Sequence, residues 1–203
     1  LQPLSATTHA NYAGSLMQEN RFRAAVKAAG RALTLGRDNH WAFEEIAFHL
    51  FDAAKVAAQK GNEKEARRLM AQAEQFPCTE ARVYAARGQL YLALQEHEQA
   101  RESFATAVRL KPTSARYHNE LGNAYYGLGD WKLAFASYAK AHELDPEEPV
   151  YEANLAGTFV KLGQEDKARA HAARAAVAAD FEHWIFKKFG LEPRKKVTKC
   201  RKL

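Results

Sequence analysis

Eight histidines, two cysteines and 24 acidic residues are the side chains in this 203-residue chain with the chemistry for catalysis or metal binding. Such work needs them at short, repeated spacings, because ligands and acid–base partners must converge within a few ångströms. His9, His40, His49, His97, His118, His142, His171 and His183 are scattered instead. No two stand at the helical spacing of a zinc site, and no cysteine lies beside one. Cys78 and Cys200 are too distant in sequence to read as a disulfide framework or a metal knuckle. There is no glycine-rich phosphate loop and no nucleophile elbow. The carboxylate pairs Glu44-Glu45 and Glu147-Glu148 read as a solvated helix face and a helix start. The chain is therefore expected to be no enzyme, with no cofactor and no metal.

The elements that would position any functional side chain are helical. Only 11 glycines and 6 prolines leave little room for a turn-rich β fold, and 47% hydrophobic with 27% charged residues is ordinary for a globular chain. The net charge of +6 is concentrated at one end. Arg194, Lys195, Lys196, Lys199, Arg201 and Lys202 supply six cations, which leaves 24 basic residues against 24 acidic ones in the body. A neutral body argues against a broad nucleic-acid footprint, which spreads cations over a face. No run is long and apolar enough for a membrane span, and nothing reads as a signal peptide. The sparse cysteines favour a reducing compartment, cytoplasm being the expectation. The first residue is Leu1 rather than Met, which fits removal of an upstream segment.

A repeat of 34 residues organises the chain. Tyr91, Tyr125 and Phe159 form one column, Gly88, Gly122 and Ala156 a second, Leu94, Leu128 and Leu162 a third. Ala100, Ala134 and Ala168 follow, then Phe104, Tyr138 and Ala172, and then Ala107, Ala141 and Ala175. Each unit reads as two amphipathic helices around a polar break such as Gly129-Asp130. Gly122 and Ala134 let backbones approach while Tyr125 and Tyr138 fill the space beside them. Pro112 and Pro146 end the second helices of their units. Upstream, Ala66, Met70 and Ala73 stand 34 residues before Ala100, Phe104 and Ala107. Ala25 precedes Ala66 by 41, so one first helix, about His40 to Lys60, is two turns longer than its neighbours. That extension is expected near residues 51–60, its tip projecting past the other helices, with a stripe of Trp41, Phe43, Ile46, Ala47, Leu50 and Ala54. The first hairpin is expected to pack through Tyr12, Leu16, Phe22, Ala25, Ala29, Ala32 and Leu35.

The unit Ala115 to Glu148 resembles the tetratricopeptide repeat: Leu121-Gly122, Tyr125, Ala134, Tyr138, Ala141 and Pro146 stand at that family's spacings, with His118 where it has Trp. The copies at 81–114 and 149–182 depart from it at Arg87, in place of Leu, and at Asp180, in place of Pro. The resemblance implies an all-α, right-handed solenoid of about five helical hairpins: 6–39, 40–80, 81–114, 115–148 and 149–182. A capping helix at 181–190 completes the solenoid over 1–190, and 191–203 is expected to be a disordered basic tail. It also implies a protein-interaction scaffold whose concave groove, lined by first helices, holds a peptide or partner subunit rather than a small molecule. The residues implied are Arg82, Gln89, Arg116, Asn119, Glu120, Asn123, Tyr126 and Asn154, with Glu44, Glu45 and Phe48 towards the N-terminus. Asn side chains suit a peptide backbone and Arg suits a carboxylate. A family subclass clamps a chaperone's terminal carboxylate with Lys, Asn, Asn, Lys and Arg. Here Asn123 and Asn154 match its asparagines and Lys188 its last cation, but Asn119 and Trp184 stand at its lysines, so that clamp is not expected.

Two other readings follow from the ends of the chain. Lys187, Lys188 and the basic tail fit an adaptor attached to nucleic acid or an acidic membrane surface. The missing initiator methionine fits a regulatory segment of a larger enzyme.

Overall fold

The computed structural model describes residues 6–19, 21–35, 40–178 and 183–193. Asp180 and the six tail cations lie outside them, as do the side chains of Phe22, Leu35 and Trp41. The described residues form helices and no strand. In order they are α1 (Ala6–Gln18), α2 (Phe22–Leu35), α3 (His40–Gln59), α4 (Glu63–Ala73), α5 (Ala81–Ala93), α6 (His97–Leu110), α7 (Ala115–Leu128), α8 (Trp131–Leu144), α9 (Pro149–Lys161), α10 (Glu165–Ala178) and α11 (Trp184–Phe189). The chain divides into two compact units, Leu1–Pro112 and Thr113–Leu203, each described by itself.

One turn closes every hairpin. The amides of Arg21, Asn62, Glu96, Asp130 and Gln164 each bond the carbonyl five residues earlier, on Leu16, Ala57, Tyr91, Tyr125 and Phe159, at 2.8–3.0 Å. This is the long bond of a helix C-cap whose next-to-last residue is left-handed. Gly61, Gly129 and Gly163 supply that geometry with φ of 76°, 83° and 72°; at the α5–α6 turn Gln95 must adopt it, at φ 61°. Four residues past each turn stands an alanine, Ala25, Ala66, Ala100, Ala134 or Ala168, every one fully buried. A methyl is the largest group that fits where two helix backbones cross this closely.

In the α5–α6 and α7–α8 hairpins a large side chain faces a small one. Phe104 is fully buried with its ring over Gly88, and Tyr138 with its ring over Gly122. A Cβ added at Gly122 would meet Tyr138 Cε1 at 2.5 Å, so the glycine is required by close approach rather than by backbone angle. Each buried ring contributes about 1.5–3 kcal/mol of transfer free energy.

In the first unit α3 packs against α1, α4 and α5, and its Phe43, Ile46, Ala47, Leu50 and Ala54 lie in the core. Leu16 is buried as expected, but Tyr12 is 54% exposed. The two extra turns of α3 are present, although not near 51–60. The closing bond at Asn62 stands 34 before that at Glu96, and Lys55 Nζ reaches Gln89 at the same offset, so the C-terminal part of α3 keeps the common register. The surplus is His40 to Ile46, at the N-terminal end. Segment 74–80 covers it: Phe76 stacks on Phe43 at a centroid distance of 5.9 Å, and the Glu44 carboxylate accepts from Thr79 N–H, Thr79 Oγ1–H (2.9 Å) and Glu80 N–H (3.2 Å).

In the second unit α7 pairs with α8 and α9 with α10. Pro149 opens α9, a position where a missing N–H costs nothing. Short helix α11 lies on α9 and α10 with Ile185 and Phe186 buried among Ala153, Ala156, Ala172 and Ala176. His183 caps it, burial holding that imidazole below its usual pKa, and Trp184 contacts Gly157 while remaining 47% exposed.

Candidate functional site

Helix α7 carries Arg116, Asn119, Glu120, Asn123 and Tyr126 at steps of three and four, which places them along one face. Their bonds sort them by role. Asn154 Nδ2 on α9 donates to Asn119 Oδ1 on α7 at 2.8 Å, joining the two first helices of this unit. Asn123 Oδ1 accepts from the buried Tyr138 hydroxyl at 2.8 Å, and its Nδ2 donates to Glu120 at 3.3 Å. Burial, helped by Tyr126 and Glu120, pushes the Tyr138 phenol well up, so it stays a neutral donor. Tyr126 is half-buried against Trp131, edge to face at 4.9 Å, and burial raises its phenol too. Arg116 is exposed and has no carboxylate partner among the described residues. Each asparagine makes fewer bonds here than an amide can, so the strip presents amide donors and acceptors beside one cation.

The predicted residues of the first unit behave differently. Arg82 is held by Glu45 (2.6 Å) and Glu80 (2.5 Å) and lies 5.3 Å over the Phe48 ring, and its guanidinium is pushed further up by those carboxylates against burial. Gln89 accepts from Lys55 at 3.4 Å, and Lys55 also bonds Asp52 at 2.6 Å. Glu44 is a correction: at 1% exposure it meets no guest, because it is buried beside segment 74–80, which its Oε1 bonds three times. Lys188, where the chaperone clamp has its last cation, pairs instead with Glu165 at 2.8 Å.

Sequence reading missed a buried carboxylate. Glu152 on α9 receives Arg174 Nε at 3.1 Å and His171 Nδ1 at 2.5 Å from α10, and His142 Nε2 of α8 lies 3.5 Å away. Burial opposes the charge, but Arg174 and His171 overcome it and hold Glu152 below the usual carboxylate range. No local spacing signals it: Glu152 and His171 stand 19 residues apart across the α9–α10 turn, against 15 for Asn123 and Tyr138 across the α7–α8 turn. Glu152 ties α9 to α10 and is nearly inaccessible to a guest. Among the described residues no group of three or more His, Cys, Asp or Glu is placed to hold a metal, and no helix is long and apolar enough to cross a membrane.

Comparison with known proteins defines the class. Residues 88–129 match the family model described as TPR repeat, and residues 115–148 the model described as tetratricopeptide repeat. No curated protein matches the chain. Among solved structures it is similar to YrrB, a TPR protein with an unusual peptide-binding site, at 19% identity, covering 92% of this chain and 93% of that one, with a TM-score of 0.72. It is also similar to MamA from Desulfovibrio magneticus RS-1 (18% identity, 84% and 92% covered, TM-score 0.63). TTC0263, a thermophilic TPR protein of Thermus thermophilus, matches at 22% identity with 92% and 97% covered and a TM-score of 0.53. At these identities the structures show the shared fold. Residues 88–148 are tetratricopeptide repeats, the fold is the all-α fold of TPR proteins, and repeats of this kind build protein-interaction scaffolds and are typically non-catalytic.

Proposed function

We propose that the second unit holds an extended segment of a partner protein across α7 and α9, and that the chain works as a binding scaffold through this face. The observation that carries the reading is the Asn119–Asn154 bond. It fixes two amides from different helices in one strip and leaves each with hydrogen-bonding capacity toward solvent, which suits a peptide backbone. Asn123 continues the strip with its orientation set by Tyr138. Exposed Arg116 adds a cation for an acidic side chain or a terminal carboxylate. The first-unit residues Arg82 and Gln89 are already bonded to their neighbours and contribute less.

Arg116→Glu is the clean test, because that side chain touches no carboxylate among the described residues. Asn123→Ala is not clean: it strands the buried Tyr138 hydroxyl, at about 1–3 kcal/mol. Random peptides displayed on phage and selected on the intact chain are expected to bind the Arg116→Glu variant at least tenfold more weakly, with its melting temperature unchanged. Equal affinity for the two proteins would remove this face from the function.

A further inference from the structure

On the first unit a cleft of about 970 Å³ opens between the second helices α2 and α4, away from the α7–α9 strip. Its floor is α3, through Leu50 and Ala53, and its apolar walls are Val26 of α2 and Leu69 of α4, both only half-buried. The volume is of the order of two turns of an α-helix about 10 Å across. A helix laid there would lie between α2 and α4 and cover the walls they leave open. The polar rim has one sign in excess: Arg21, Lys27 and Arg68 against the single lining carboxylate Glu65. Arg68 is paired with Glu65 at 2.6 Å and Arg21 with Glu19 at 3.3 Å, both at the surface, while Lys27 has no carboxylate partner among the described residues.

We infer that this cleft docks an amphipathic helix of a partner protein, its apolar stripe on Leu50, Val26 and Leu69 and its acidic flank on Lys27 and Arg68. Helix-in-groove recognition needs these two components, an apolar trough and a rim that reads the flanking charge. The chain's own residues 194–203 carry six cations and no acid, the wrong sign for this rim. The inference is independent of the α7–α9 reading, since it concerns other helices and another unit.

Three synthetic 14-residue helical peptides with one leucine stripe, flanked by Glu, by Gln or by Lys, can be titrated into the intact chain by fluorescence anisotropy. The Glu-flanked peptide is expected to bind at least tenfold tighter than the Lys-flanked one, with the gap closing at high salt. Lys27→Glu with Arg68→Glu, surface changes that leave the core intact, should reverse that order. Leu69→Glu should abolish binding, and Arg116→Glu should leave it unchanged. The inference is overturned if the Glu-flanked peptide does not bind, or if its affinity survives the double charge reversal. It is equally overturned if Leu69→Glu dissociates a dimer of the chain, which assigns the cleft to a second copy. A gain in affinity on truncation after residue 193 assigns it to the tail.

Discussion

Gln95 occupies the left-handed position that glycine fills at the three equivalent turns, at φ 61°. A side chain there costs about 1–2 kcal/mol, while glycine costs about 0.5–1 kcal/mol in unfolded-state entropy. Gln95→Gly is therefore expected to raise the unfolding free energy by about 0.5–1 kcal/mol in denaturant titration, and Gly129→Ala to lower it by about 1 kcal/mol. The column Gly61, Gln95, Gly129, Gly163 was present in the sequence, but its purpose shows only through the backbone angles. Glu152 yields the pH prediction. Its pKa is lower in the folded state, so its contribution is complete above the ordinary carboxylate value and is lost as pH falls through the folded one. At pH 7 Glu152→Gln should cost about 1–3 kcal/mol. The gap from the parent protein should narrow below about pH 4.3. A gap that stays constant or widens there would mean that the carboxylate is not held by Arg174 and His171.

At the scale of elements, the hairpins were legible because one physical requirement recurs: a methyl where backbones cross, a ring where they do not. The extra length of α3 was legible as well, since Ala25 and Ala66 stand 41 residues apart. Its location was not. Spacing counts the surplus residues but does not say at which end of the helix they fall, and pairing in space decides that. The N-terminal surplus depends on Glu44, whose bonds to Thr79 and Glu80 span 35 and 36 residues and leave no local pattern. Removing that acceptor with Glu44→Ala strands two amides and a hydroxyl, an expected loss of about 3 kcal/mol. The segment it anchors contains Cys78, whose thiol burial, with Glu44 second, pushes up to about 12. In a Cys200→Ser background a thiol reagent at pH 8 should modify the parent protein slowly and Glu44→Ala at least tenfold faster. Equal rates would show that Glu44 does not hold segment 74–80 in place.

For the whole molecule, the repeat determines what kind of work is available. Stacked hairpins spend their small and aromatic residues on one another and leave the remaining faces of their helices to partners. The class was legible from spacing alone; the family models match residues 88–148, where the columns are most regular. The site was legible only in part. Position on a first helix selected Arg116, Asn119, Asn123 and Asn154 together with Arg82 and Glu44, and nothing in a single sequence separates an amide facing solvent from a carboxylate already bonded inside. The decisive measurement is photocrosslinking from the intact chain in its native cells, with a photoreactive residue at exposed position 127, four residues past Asn123 on α7, or at position 136 on the exposed side of α8, followed by mass spectrometry. Position 127 should capture a protein partner through an extended segment, in an amount that falls with Arg116→Glu, and position 136 should not. Capture from position 136 alone, or from both positions equally and regardless of Arg116, would contradict binding at the α7–α9 strip.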